Sequence, residues 1–84
     1  ELAPRGTRVN GVLPGRIATD RTFALDARYG APDMVRRRNE SLIPLGRYGD
    51  PAELGRVATF LLSPAASYIT GALIPVDGGV LRGV

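Results

Sequence analysis

The residues at positions 14–19, Pro-Gly-Arg-Ile-Ala-Thr, have the types and spacing of a turn that could hold a ligand. Gly15 has no side chain, so the main chain there can approach a bound group closely. Thr19 adds a hydroxyl that both donates and accepts hydrogen bonds. Proline and glycine are also generic turn formers, and threonine is a common helix cap. The hexapeptide alone therefore leaves open a binding turn and a purely structural turn.

The composition of the chain excludes several kinds of catalytic and metal site. Its 84 residues include no cysteine and no histidine, and all eleven basic residues are arginine. A disulfide framework and a Cys-based metal site are therefore excluded, and the commonest transition-metal ligand is missing. Asp77, followed by Gly78 and Gly79, offers one carboxylate without companion ligands and predicts a turn. We expect no metal site and no catalytic residue in this chain.

Two polar residues outside the hexapeptide are interpreted as structural. Tyr68 resembles a catalytic tyrosine, but the chain has no lysine that could lower the pKa of its hydroxyl. We expect Tyr68 to pack in the loop before the last strand. Asn10, which lies in an apolar stretch, should tie adjacent loops together because a buried amide needs hydrogen-bond partners.

Two strands are predicted to position the hexapeptide. Apolar and β-branched residues at positions 7–13 indicate a strand that stops at the Pro-Gly turn, and residues 73–77 indicate a second one. The long connection between them contains helices, as parallel pairing requires. Pro75 cannot donate to a ladder, which favours the sheet edge for the second strand. Ligands of such sheets bind at the carboxyl ends of the strands, where residues 14–19 would lie.

The clearest helix is predicted over residues 51–62. Asp50 is a good N-cap, Pro51 suits the first helical position, and Glu53 can complete a capping box. The apolar residues recur at the spacing that turns one helix face toward a core. They are Leu54, Val57, Ala58, Leu61 and Leu62.

Two shorter helices are predicted between the Pro-Gly turn and residue 45. The first begins at its cap, Asp20, and ends near Gly30. The second covers residues 32–42, with a proline in its first turn. The residues on one side of the second helix are Met34, Arg38 and Leu42.

Two separate segments resemble the short-chain dehydrogenase/reductase family. Residues 8–10 with residues 14–19 are similar to the family's strand and Pro-Gly-x-Ile/Val-x-Thr turn, and residues 66–79 are similar to its C-terminal strand. The residue patterns of both segments are similar to those of bacterial β-ketoacyl carrier-protein reductases. The resemblance implies an α/β fold, the C-terminal part of a Rossmann-like doubly wound parallel sheet, with two strands, lid helices and one core helix.

The family's phosphate-binding glycine motif and its catalytic Tyr-x-x-x-Lys motif are both absent from the sequence. Residues 1–4 look like the tail of the helix that carries the second motif. The resemblance therefore implies that residues 1–84 are the C-terminal third of a single oxidoreductase domain and are inactive by themselves. The alternative is a family member that has lost catalysis and serves as a binding or structural subunit.

The resemblance also assigns residues 14–19 to the nicotinamide side of a dinucleotide site, with NAD or NADP as the cofactor. Pro14 and Gly15 would form the turn. The backbone at Ile17 would pair with the nicotinamide carboxamide, and the Thr19 hydroxyl would bond the carboxamide or the diphosphate. Arg16 has three alternatives, contact with a cofactor phosphate, contact with an acidic substrate group, or exposure to solvent, of which we favour solvent. The implied reaction interconverts a ketone and an alcohol by hydride transfer.

Residues 20–45 are expected, from the same resemblance, to form a lid over a small carbonyl or alcohol substrate, acyl thioesters included. Residues 43–51 would be its hinge, bracketed by glycines. The large apolar side chains of the lid either line a pocket or form the lid's own small core. They are Phe23, Leu25, Tyr29 and Met34.

The partners are predicted from charge and from the apolar surface. The formal charge is +3, but the only arginine run is at positions 36–38, which is typical of a solvated helix face. No apolar run approaches the roughly 20 residues that span a bilayer. We therefore expect no nucleic-acid or membrane partner and a cytoplasmic location. The edge strand and helix 51–62 predict a homodimer or homotetramer built through them.

Overall fold

The computed structural model describes residues 5–81, so the predicted helix tail at residues 1–4 lies outside the described residues. Two strands enclose three helices along the chain, as in a crossover unit of an α/β fold. The elements in order are β1 (Gly11–Pro14), α1 (Asp20–Asp26), α2 (Pro32–Ser41), α3 (Pro51–Leu62), a short 3-10 turn (Pro64–Ala66) and β2 (Leu73–Val76).

The two strands pair in parallel, as predicted, with Gly11 opposite Leu73 and Pro14 opposite Val76. β1 begins four residues later than the predicted strand. The reason is that the preceding residues bond to the loop before β2 instead of to a ladder. The amide of Asn10 donates to Ile69 O at 3.1 Å and its carbonyl oxygen accepts from Ala72 N at 3.0 Å. The predicted structural role of Asn10 is confirmed.

Helix α3 has the predicted bounds and the predicted cap. Asp50 Oδ1 accepts from Ala52 N at 2.9 Å, and Glu53 Oε1 accepts from Asp50 N at 2.8 Å. These bonds satisfy amides that have no partner inside the helix. Leu61 is buried on the predicted face, but Leu62 is 83% exposed, which contradicts its placement there.

Helix α1 differs from its prediction at both ends. Its N-cap is Thr19 rather than Asp20, because Thr22 N donates to Thr19 Oγ1 at 3.2 Å. The helix ends at Asp26 instead of near Gly30, since Tyr29 N bonds back only three residues, to Asp26 O, and tightens the chain into a turn.

Helix α2 has nearly the predicted length but buries a different face. Val35 and Asn39, four residues apart, are buried, whereas Met34 and Leu42 are largely exposed. Residues four apart lie on one side of a helix. The buried side includes an asparagine, so the positions of the apolar residues alone predicted the wrong buried face.

Apolar side chains of both strands remain exposed, Leu13 and Leu73 among them. A parallel sheet normally buries both faces under helices and further strands. The surface around β1 and β2 is therefore one that a larger doubly wound sheet would cover, as the predicted fold class requires.

Candidate functional site

The turn after β1 is fixed by close contact with the end of β2. Gly15 N donates to Val76 O at 3.0 Å and continues the pairing one residue past the strand. A Cβ atom at Gly15 would lie 2.6 Å from the Cβ of Asp77, a distance that real structures do not tolerate. Gly15 is therefore required by the packing of the two strand ends.

Ile17 is buried and lies beside Gly49 in an isolated parallel bridge. Ala18 N donates to Gly49 O at 2.8 Å, and Gly49 N donates to Arg16 O at 2.9 Å. These two bonds hold the backbone on both sides of Ile17. Among the described residues, the N–H of Ile17 itself has no hydrogen-bond partner.

The hydroxyl of Thr19 is already used by the protein. It accepts from Thr22 N and lies 3.1 Å from the hydroxyl of Thr22. The purely structural interpretation of this residue, a helix cap after a turn, is thus realised. A hydroxyl has one proton and two lone pairs, so one further bond to a ligand is compatible with the cap.

Arg16 does not simply point to solvent. Its side chain is half-exposed, and its Nη1 lies 3.7 Å from Oδ1 of Asp26, whose side chain is buried. The pair is long and partly hydrated, which makes its contribution to stability small. Arg16 nevertheless connects the turn to helix α1, a contact that its sequence position does not predict.

A buried polar cluster lies between α1, α2 and the segment before α3. Asp26, Asn39 and Tyr48 are 2%, 8% and 3% exposed. The Tyr48 hydroxyl donates to Asp26 Oδ2 at 2.6 Å. Asn39 Nδ2 donates to the Tyr48 hydroxyl at 3.0 Å and is 3.4 Å from Asp26 Oδ1. Within residues 5–81, no buried side-chain polar atom lacks a partner.

The environment of the cluster changes the acidity of Tyr48. Burial raises the pKa of its hydroxyl, and donation to Asp26 raises that pKa further, because both disfavour the phenolate. The hydroxyl therefore stays protonated and remains a hydrogen-bond donor. The sequence does not predict the cluster, since its members come from two helices and the loop before α3 and share no regular spacing.

Aromatic packing surrounds the same cluster. The rings of Phe23 and Tyr48 stack with their centroids 6.5 Å apart. The guanidinium carbon of Arg36 lies 5.2 Å from the centroid of Phe23 and 5.0 Å from that of Tyr48, within cation–π range. Phe23 is thus a packing residue.

The other candidates for the lid's own core do not form one. Leu25, Tyr29 and Met34 are exposed in the described part of the chain, Met34 to 69%. Tyr68, expected to pack in its loop, is fully exposed. These four side chains therefore find no core within the described residues.

An open cleft of about 600 Å³ lies between the turn, the segment before α3 and the end of β2. Of the predicted cofactor-binding residues, only Ile17 lines it. The other residues that line the cleft are Arg16, Pro44, Leu45, Arg47, Gly49, Glu53, Pro75, Val76, Asp77, Gly78 and Gly79.

The residues after β2 form the turn that the sequence predicts. The Asp77 carboxylate accepts from Gly79 N and Leu81 N, both at 2.9 Å, which confirms this turn.

Two other kinds of feature are absent from residues 5–81. No three histidine, cysteine, aspartate or glutamate side chains are grouped as metal ligands would be. No helix in this part of the chain has the length and apolar content to cross a bilayer.

Curated proteins with similar sequences are oxidoreductases. Residues 1–81 match the family described as Enoyl-(Acyl carrier protein) reductase. The chain is 46% identical over 79 residues to galactitol 2-dehydrogenase (L-tagatose-forming) of Cereibacter sphaeroides, covering 94% of this chain and 30% of that protein. It is 46% identical over 80 residues to the 3-oxoacyl-[acyl-carrier-protein] reductase FabG of Aquifex aeolicus, covering 95% and 30%. The chain spans a little under a third of the length of these relatives.

Solved structures agree with the sequence comparison. A short chain dehydrogenase family protein from Francisella tularensis superimposes with a TM-score of 0.91 at 36% identity, over 96% of this chain and 36% of that one. YwfH, an NADPH dependent reductase involved in bacilysin biosynthesis, superimposes with a TM-score of 0.91 at 38% identity, over 99% and 33%. The backbone described above is thus similar to the C-terminal part of a Rossmann-like oxidoreductase, as predicted.

Proposed function

The chain belongs to the short-chain dehydrogenase/reductase family, and we propose that it supplies one side of the nicotinamide site in an NAD(P)-dependent oxidoreductase that interconverts a ketone and an alcohol. A bound NAD(P)H supplies the hydride in such a reaction. The task of this chain is to hold the nicotinamide so that one face of its ring meets the substrate. The residues that we assign to this task are Pro14, Gly15, Ile17 and Thr19.

The free N–H of Ile17 is the observation that carries the proposal. Backbone N–H groups of buried residues normally have a hydrogen-bond partner, and among the described residues the N–H of Ile17, a residue that is 8% exposed, has none. The nicotinamide carboxamide has a carbonyl oxygen that can accept such a bond. The bonds from Gly49 to the backbone on both sides fix the direction of the N–H, which is the preorganisation that cofactor binding needs.

Thr19 is assigned a second bond to the same ligand. Its hydroxyl lies at the N-terminus of α1, where main-chain amides and the helix dipole favour negative charge. A bond to either the carboxamide or the diphosphate fits this environment. Pro14 and Gly15 shape the turn so that these groups stand at the carboxyl end of β1.

Residues 20–45 are proposed to cover the substrate as a lid. Helices α1 and α2 follow directly after the turn, and Leu25, Tyr29 and Met34 present apolar surface there. The relatives named above act, by their names, on galactitol and on 3-oxoacyl-[acyl-carrier-protein]. We accordingly infer a carbonyl or alcohol substrate, acyl thioesters included, a cytoplasmic location and assembly as a homodimer or homotetramer.

The chain alone is expected neither to bind NAD(P) appreciably nor to transfer hydride. It contributes one edge of the site, and it has no lysine for the family's Tyr-x-x-x-Lys motif. A calorimetric titration of the isolated chain with NADPH tests this expectation, and tight binding by a monomeric chain would overturn it.

The cofactor assignment is tested in the intact protein that contains this chain. Thr19→Ala should raise the dissociation constant of NADH or NADPH, measured by nicotinamide fluorescence, by the loss of roughly one hydrogen bond, about 0.5 to 1.5 kcal/mol. Thr19→Ser keeps the hydroxyl and should bind normally.

The matched control for lost capping is Asp50→Ala. It removes the cap of α3 without touching the turn, and should lower stability by about 1 kcal/mol but leave cofactor affinity unchanged. Equal cofactor affinity in the wild type and in Thr19→Ala would contradict the assignment. A protein that binds NAD(P)H but transfers no hydride to any ketone would be the non-catalytic family member instead.

A further inference from the structure

We propose that Asp26, Asn39 and Tyr48, here named the polar clasp, are positioning residues that couple helices α1 and α2 to the backbone at Ile17. The proposal rests on the proposed function, in which Ile17 faces the cofactor and the two helices cover the substrate. It adds a physical link between the two halves of that site.

The polar clasp joins three separate elements through directional bonds. Asp26 closes α1, Asn39 lies in α2, and Tyr48 lies just before α3. Each side chain bonds both others, and all three are buried. Buried polar groups tolerate only arrangements in which every partner is in place, so the three bonds favour one placement of α1 against α2.

The polar clasp reaches the cofactor turn by two routes. Tyr48 is the residue before Gly49, whose N–H and carbonyl bond Arg16 and Ala18. The Asp26 carboxylate also faces the Arg16 guanidinium at 3.7 Å. Both residues that flank Ile17 are thus connected to the clasp. Ala18 is connected through its backbone alone, and Arg16 through its backbone and its side chain.

The ring of Tyr48 is held independently of its hydroxyl. Phe23 stacks against it, and Arg36 lies over both rings while its Nε donates to Glu40 at 3.3 Å. Removing the hydroxyl alone therefore leaves the ring packed and isolates the contribution of the hydrogen bonds. Tyr48→Phe is the variant that makes this separation.

The test measures whether bound cofactor protects the α1–α2 region of the intact protein from trypsin. Arg28, Arg37 and Arg38 are exposed cleavage sites in that region. If the turn and the helices are coupled, saturating NADPH slows cleavage there in the wild type. In Tyr48→Phe we expect the protection to be lost and the dissociation constant of NADPH to rise by no more than the wild-type protection factor, because coupling between two sites is reciprocal.

Three variants separate coupling from a general loss of stability. Tyr68→Phe removes a hydroxyl that is fully exposed in the described chain and should keep the wild-type protection ratio. Asp26→Asn keeps an acceptor for the Tyr48 hydroxyl and should restore part of the protection that Asp26→Ala loses. A merely structural role would lower the melting temperature of each clasp variant without changing the ratio of cleavage rates with and without NADPH.

The outcomes distinguish this inference from the function on which it rests. A wild-type protein that binds neither NADH nor NADPH overturns the proposed function and the coupling with it. A wild type that binds NADPH but gains no protection overturns the coupling alone, and so does a Tyr48→Phe variant with the wild-type ratio.

Discussion

Gly15 and Asp77 meet so closely that a Cβ atom at position 15 would lie 2.6 Å from the Asp77 Cβ and 2.8 Å from its Cα. The turn that follows β1 therefore packs directly on the backbone that follows β2. Because the obstacle is backbone as well as side chain, no rotamer change can relieve it. The proposed cofactor turn thus depends on the last strand for its shape.

Gly15→Ala should destabilise the intact protein by about 1 to 3 kcal/mol, the usual cost of overpacking. It should also weaken cofactor binding, because the turn must move away from Asp77. Gly55 provides the control, since a Cβ atom there meets nothing within 4 Å and the residue lies inside α3. Gly55→Ala should raise stability by about 0.5 to 1 kcal/mol. Urea unfolding measures the stability change of both variants. Equal changes in Gly15→Ala and Gly55→Ala would contradict the packing argument.

The pH dependence of stability should reveal the Arg47–Glu53 pair. Two bonds from Arg47, at 2.7 and 2.9 Å, and one from the Asp50 amide lower the pKa of Glu53 from 4.5 to about 2. The pKa of Glu53 is lower in the folded than in the unfolded state. The ionised Glu53 therefore contributes its full share of folding stability above pH 4.5, and this share is lost as the pH falls toward 2.

Glu53→Gln should therefore cost stability near neutral pH and progressively less on acidification. The unfolding free energies of the wild type and Glu53→Gln are to be compared at about pH 6 and about pH 3, at low salt because exposed pairs are screened. A difference between the two proteins that does not shrink at the lower pH would show that the ion pair contributes nothing.

Phe23 and Met34 should respond differently to truncation, although the sequence groups them together. Phe23→Ala removes the ring under Arg36 and should cost about 1 to 3 kcal/mol, lowering activity toward all substrates alike. Met34→Ala should leave stability nearly unchanged and alter kcat/KM between long and short ketones by about tenfold. Steady-state kinetics with a ketone series decides the matter. If Met34→Ala lowers kcat/KM equally for all ketones, Met34 does not line the substrate pocket.

The exposed apolar surface of β2 and α3 predicts assembly. Phe60 and Leu62 in α3 are exposed in the described chain, and Pro75 favours the sheet edge for β2. A two-fold partner would cover the strand edge and the helix together, as self-complementary interfaces do. Light scattering of the intact protein should report a dimer or tetramer. Leu62→Arg should shift it toward the monomer, whereas Leu42→Arg at the C-cap of α2 should not. A wild-type monomer at micromolar concentration would contradict the prediction.

Features that depend only on neighbours in the chain could be predicted from the sequence. The capping box of α3 needs only Asp50 and Glu53, three residues apart, and its bounds were predicted correctly. The Pro-Gly turn and the parallel pairing of the strands also follow from local residue types and from the length of the connection. The residue patterns at positions 8–19 and 66–79 were sufficient to indicate the family.

The polar clasp and the buried face of α2 depend instead on contacts between distant parts of the chain. The bonds that define the clasp join residues 22, 13 and 9 positions apart, in different elements. Asn39 is buried because it bonds Asp26 and Tyr48, whereas Met34, the more apolar residue, stays exposed. Apolar periodicity measures the average tendency of a side chain to leave water. It cannot detect a polar side chain whose burial is offset by partners that only the folded chain brings together.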